Sequence, residues 1–206
     1  VMNNIQFNDN IINASSDGIY IDYIEYIGYD IEDNATFVMG DLEFNGNKIN
    51  STNDGISIGD YLFYECGYEI YGNASFVMGS IQFNDNIINA SSDGIYVYDW
   101  YDVGAYLYDD ASFVMQNVEF CRNVINASYG MYFYYMPNYF GEYLYDNASF
   151  VMNSILFNDN IINCTEYGIY CDEYLGYFGY EMYGNATFEM NNIEFNNNIM
   201  DGGGIY

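Results

Sequence analysis

Histidine is absent from these 206 residues, proline occurs once, at Pro137, and only Lys48 and Arg122 carry positive charge. Without histidine there is no Ser-His or Cys-His pair to activate a nucleophile. Two cations against 30 acids give a net charge of −28. That balance excludes nucleic acid and anionic lipid as natural partners, because both need basic surface. No apolar run approaches the roughly 18 residues of a membrane span, so none is expected. Cys-x-x-Cys spacing is missing, which removes the common thiolate metal sites. No leader is visible: the chain opens on Val1-Met2 in mid-pattern, so any targeting segment is expected to lie outside it.

What is present is unusual in kind. Aromatic residues make up 21% of the chain and apolar residues 51%, too much buriable surface for the disorder that such acidity would otherwise suggest. The charge implies self-repulsion at neutral pH, relieved by salt, divalent cations or protonation.

The dominant signal is self-similarity at a period of about 37 residues. Phe37, Phe76, Phe113, Phe150 and Phe188 each follow Ala-Ser/Thr, and each is followed seven residues later by another Phe. That second column is Phe7, Phe44, Phe83, Phe120, Phe157 and Phe195. Three residues on comes an unbroken asparagine column: Asn10, Asn47, Asn86, Asn123, Asn160 and Asn198. A glycine closes each unit at Gly18, Gly55, Gly94, Gly130, Gly168 and Gly204. The chain reads as one domain, 1–206, with repeats at about 1–33, 34–72, 73–109, 110–146, 147–184 and 185–206.

Phe76, Met78, Ile81, Phe83 and Ile88 fall at alternating or near-alternating positions, as short strands require, and helical spacing fits poorly. The pattern predicts an all-β parallel solenoid of about six coils, each about 4.8 Å above the last, so that like residues stack in ladders. The asparagine column reads either as a buried amide ladder at a corner or as turn residues tolerating left-handed backbone. Because the columns are strict over 73–96 and loose over 97–109, a core coil of 22 to 24 residues plus an inserted arm is expected. The arms are 21–33, 58–72, 97–109, 133–146 and 171–184, and they hold most of the 27 tyrosines. They are expected to stack as β-arms, either as a fourth side or as protruding hairpins. The first and last coils look like all the others and carry no polar caps. The chain is therefore expected to be either a window on a longer protein or a subunit that joins copies of itself head to tail.

The pairing of Phe83-Asn84-Asp85-Asn86 with Gly94-Ile95-Tyr96, and of Phe195 to Asn198 with Gly202-Gly203-Gly204-Ile205-Tyr206, resembles the FxxN and GGAI motifs of chlamydial polymorphic outer-membrane proteins. It is similar more broadly to right-handed parallel β-helix, adhesin-like surface proteins of bacteria and archaea. The resemblance covers the core coils but not the arms, and implies a cell-surface passenger used for adhesion or assembly.

Nine Asn-x-Ser/Thr sequons form two columns. Asn13, Asn50, Asn89, Asn126 and Asn163 follow the second Phe; Asn34, Asn73, Asn147 and Asn185 precede the first, with Asp110 interrupting. They predict N-glycan stripes or merely good corner residues, and glycans at every coil would crowd. Cys66, Cys121, Cys164 and Cys171 share no column; Cys164 and Cys171 are close enough in sequence to bridge a corner, and buried free thiols are the alternative. Acidic columns such as Asp9, Asp85 and Asp159, or Asp17, Asp54 and Asp93, are candidates to hold Ca2+ between coils, although no cofactor is required. Stacked tyrosine faces suit sugar rings. The expectation is an extracellular, N-glycosylated structural fibre that assembles with itself, with a surface adhesin binding carbohydrate or a host as the second reading. A β-helix glycanase is the third, disfavoured because every candidate carboxylate belongs to a repeat column or an arm.

Overall fold

The computed structural model describes residues 1–172 and 177–206, with backbone but not side chains at 136–137. Among the described residues there is no helix, and every pairing between strands is parallel. The chain is a parallel β-solenoid with four walls. In one coil, Thr36–Met39 and Leu42–Glu43 form the first wall, Lys48–Ser51 the second, Ile56–Tyr64 the third and Glu69–Ile70 the fourth. The second wall stacks six strands, the third and fourth five each. The expected six coils are thus about five complete turns.

Alternation puts one face of the first and second walls inside, whereas the third wall is buried at consecutive residues 56–59. The first phenylalanine column stacks Phe37 to Phe188 with ring centroids 5.1, 4.9, 5.0 and 5.0 Å apart. The second runs from Phe7 to Phe195, with neighbouring rings no more than 8° from parallel. Between them Met39, Met78, Met115 and Met152 are buried. Residues in a column share the coil spacing, so each ring inside a column stacks on two others and each end ring on one, a geometry worth about 0.5–1.5 kcal/mol per pair beyond area burial.

The arms are neither insertions nor hairpins. Residues 58–72 complete the third wall and supply the fourth; Leu62, Phe63 and Cys66 are buried there, as are Trp100, Val103 and Phe140 in later arms, together with the polar Asp102, Asn138 and Glu142. Every full coil therefore uses the whole repeat, and the expected core coil of 22 to 24 residues is corrected to one of 37 to 39, the sequence offset between hydrogen-bonded columns. Part of the arm expected at 171–184, residues 173–176, lies outside the described residues.

Two glycine columns explain how walls meet. At Gly94, between the second and third walls, an added Cβ would run into Ile125 Cγ2 and the Gly130 carbonyl of the next coil. At the turn between the third and fourth walls, Gly28, Gly67, Gly104, Gly141 and Gly179 all have φ between 52° and 59° and lie against the first phenylalanine column. Left-handed backbone without a Cβ is required there.

Candidate functional site

Three features repeat at every coil and could carry function: an internal amide corner, an external amide groove, and a tyrosine-plated surface.

At the internal corner the motif Phe-Asn-x-Asn divides its labour residue by residue. The position before each ladder asparagine takes the left-handed turn: Asp9, Gly46, Asp85, Arg122, Asp159 and Asn197 have φ from 55° to 68°. That frees the following asparagine to point inward, and Asn47, Asn86, Asn123 and Asn160 are wholly buried. Asn86 Nδ2 donates to Asn123 Oδ1 at 3.0 Å and to the Phe44 carbonyl at 2.7 Å, while its Oδ1 accepts from the Asn47 backbone N–H and Asn47 Nδ2. Of the two readings of this column, the buried ladder holds and the turn belongs to the neighbour. A further amide column escaped the sequence reading: Asn8, Asn45 and Asn84 each accept a backbone N–H from the next coil. Cys121 breaks it, which hid the regularity.

The turn also accounts for Asp9, Asp85 and Asp159, which serve as left-handed corner residues. Asp85 is held by Arg122 through two bonds of 2.8 Å. The other acidic column is a corner ladder too: Asp17 accepts the Asp54 N–H, and Asp54 accepts the Asp93 N–H, each at 3.1 Å. Among the described residues no group of three or more Asp, Glu, Cys or His side chains is placed to hold a metal ion. Cys66, Cys121 and Cys164 are buried and Cys171 half-buried, all as free thiols. Cys164 ends a second-wall strand with its thiol bonded to the Asp201 carbonyl, whereas Cys171 belongs to the third wall; the corner bridge is not made. Burial pushes the Cys171 thiol up to about 11.

The sequon asparagines are exposed and ordered. Along the second wall, Asn50 donates to Asn13, Asn89 to Asn50, Asn126 to Asn89 and Asn163 to Asn126, at 2.8–3.1 Å. This ladder runs opposite in polarity to the buried one, where each coil donates to the next. The other column is similar, Asn73 to Asn34 and Asn185 to Asn147, with Asp110 accepting from Asn147. Beside the first of these columns lies an open groove of about 720 Å³, lined by the triplets from Asn50 to Thr165 and by Asp201 and Gly202. A second hollow of about 410 Å³ continues it to Asn13.

On the third and fourth walls the tyrosines stack coil on coil. Tyr71, Tyr108, Tyr145 and Tyr183 lie 4.8, 4.9 and 5.2 Å apart and within 6° of parallel. Stacking consumes the ring faces and leaves edges and hydroxyls outward, so these columns do not offer faces to sugar rings. Their hydroxyls meet carboxylates: Tyr71 donates to Glu69 at 2.6 Å, Tyr23 to Asp60 at 3.1 Å and Tyr132 to Asp172 at 2.8 Å. Hydrogen bonding to Glu142 holds the Tyr143 phenol up at about 12.

Comparison with known proteins finds no matching family model, no matching curated protein and no matching solved structure. The fold is that of β-helix proteins in general.

Burial also moves three carboxyls inside the tyrosine-bearing half. Asp102 is pushed up to about 8 by burial and then by Glu142, Glu65 and Asp99. Asp99 is raised to about 7 by burial alone, and Asp93 to about 7 by burial and the charge of Asp54. No described helix is long and apolar enough to cross a membrane.

Proposed function

We propose that this chain is a segment of an extracellular, cell-surface structural fibre, built by stacking solenoid coils head to tail, with no catalytic role. The observation that supports it is the recurrence of the same stacking contacts from coil to coil. Asn stacks on Asn, Phe on Phe and Tyr on Tyr from coil to coil. A contact that relates one coil to the next by translation is heterologous and does not close. The same surfaces that join coils within the chain are therefore suited to join coils of different copies. The likeness of its Phe-x-x-Asn and Gly-Ile-Tyr motifs to those of polymorphic outer-membrane and adhesin-like β-helix proteins supports a place on the cell surface. A chain of 30 acids, most of them outside, and two cations fits a fibre that must remain dispersed from its neighbours, because like charge along the sides opposes lateral bundling.

Electron microscopy of the purified chain over a range of salt concentrations tests this reading. Unbranched filaments of one width, lengthening as salt screens the charge, are expected. Dispersed particles of fixed length at every salt concentration would overturn it.

A further inference from the structure

We infer that the sequon corner along the second wall is a binding track for an uncharged, linear polysaccharide. The two hollows share Asn50 and Ser51 and so form one groove parallel to the axis. Its lining is the sequon itself: each of five successive coils presents an asparagine and, two residues later, a serine or threonine. A polymer lying along the axis therefore meets one amide and one hydroxyl every ~4.8 Å.

The amides are fixed before any ligand arrives. Each amide is held by the ladder, for example Asn126 Nδ2 on Asn89 Oδ1 at 2.8 Å, and Ser128 Oγ donates to the Ser91 carbonyl at 3.0 Å. After the ladder bond an amide still has one N–H and one oxygen lone pair to give outward, so each coil offers both a donor and an acceptor, as a sugar hydroxyl also does. Little side-chain entropy remains to be lost on binding. Two residues earlier on the same outer face runs a column that is aliphatic except at Lys48, with Ile87, Val124 and Ile161 36–48% exposed. A strip of apolar surface beside a strip of amides matches a sugar chain, whose rings have C–H faces and hydroxyl edges.

Charge selects among polymers. The molecule carries −28, yet within the groove only Asp201 is ionisable as an acid. A polyanion would be repelled by the rest of the surface, and the groove gives a polycation nothing to pair with along most of its length. An extended peptide would seek a strand edge for its backbone, whereas the second wall's backbone is already paired within the sheet. The Nδ2 that would carry an N-glycan is the ladder's own donor, so the asparagine and hydroxyl of each triplet have a use that needs no modification.

Affinity electrophoresis of the full chain, produced in a host that does not N-glycosylate, tests the assignment. The gels contain a neutral β-glucan, a neutral mannan, a neutral xylan or, as the charged comparator, polygalacturonate. Retardation by at least one neutral polymer and none by polygalacturonate is expected. Asn126→Asp, which places a charge in the groove, and Ala127→Trp, which fills it, should each weaken that retardation at least tenfold with circular dichroism unchanged. If Ala127→Trp disturbs the fold, Asn126→Asp at its exposed site decides alone. No retardation by any neutral polymer, equal retardation by polygalacturonate, or retardation indifferent to Asn126→Asp would each overturn it. Binding is scored on dispersed chains, so it stands or falls independently of filament formation.

Discussion

One residue type does opposite work on the two sides of the second-wall corner. Asn86 is wholly buried and uses both amide protons and its oxygen. Asn89, three residues on, makes the same kind of bond in water. Removing the Asn86 side chain strands the Asn47 backbone N–H, one Asn47 amide proton and the Phe44 carbonyl, while Asn123 Oδ1 keeps the residue-86 backbone N–H; an unsatisfied buried polar group costs about 1–3 kcal/mol. Asn86→Ala should therefore lower the unfolding free energy by about 3 kcal/mol or more, while Asn89→Ala should change it by no more than about 0.5 kcal/mol. Denaturant titration of the two variants measures the contrast, and equal losses would mean the inner ladder is not the stabilising one. The buried carboxyls make a second residue-scale prediction. Asp93, Asp99 and Asp102 are raised to about 7, 7 and 8, above the unfolded value of about 3.9. Their contribution to stability is complete below about pH 4 and is lost as pH rises through 7 to 8. Glu43, lowered by amide hydrogen bonds from Gln6, Asn8 and Asn4, works in the other direction but only in acid. The melting temperature should fall between pH 5 and pH 9. A rise over that interval would show these carboxyls to be charged in the folded chain.

At the scale of the strand and the turn, the sequence was legible where column spacing is constant and obscure where it is not. The Phe and Asn columns of the first two walls keep their spacing, and they revealed the parallel stack, the core and the amide ladder. In the third wall the chain length varies: Gly18 and Gly28 are ten residues apart, Gly55 and Gly67 twelve, Gly130 and Gly141 eleven. Register shifts fall there, between Ile21 and Tyr23 and between Asp99 and Tyr101. A bulge absorbs an extra residue without disturbing the walls on either side, so the columns look lost although Gly28, Gly67, Gly104, Gly141 and Gly179 resume them. That glycine column was the signal that the arms are wall. The groove was less legible still, since a sequon advertises a modification and hides the plainer fact that its two polar residues share one surface. The glycines give a prediction at this scale. Gly94→Ala puts a Cβ into Ile125 and the Gly130 carbonyl, and overpacking costs about 1–3 kcal/mol. Gly204, with nothing within 4 Å of its Cβ position, should accept alanine without measurable loss. Thermal melts of both variants check it, and tolerance at Gly94 would contradict the tight corner.

In the molecule as a whole, identical residues stacked at a fixed spacing satisfy one another, so a coil is stabilised mainly by the coils above and below it. Long-range contacts dominate the chain, and every wall is a parallel sheet. The interior belongs to the phenylalanines and the inner amides, the outside to tyrosine, carboxylate and the sequon groove. Surface chemistry is thereby repeated along a line, as suits a fibre and as a linear ligand would read. The most direct test is electron diffraction or cryomicroscopy of oriented filaments of this chain. The account predicts an axial reflection near 4.8 Å from strands lying across the filament axis. Filaments without that axial spacing, or with strands running along the axis, would contradict it.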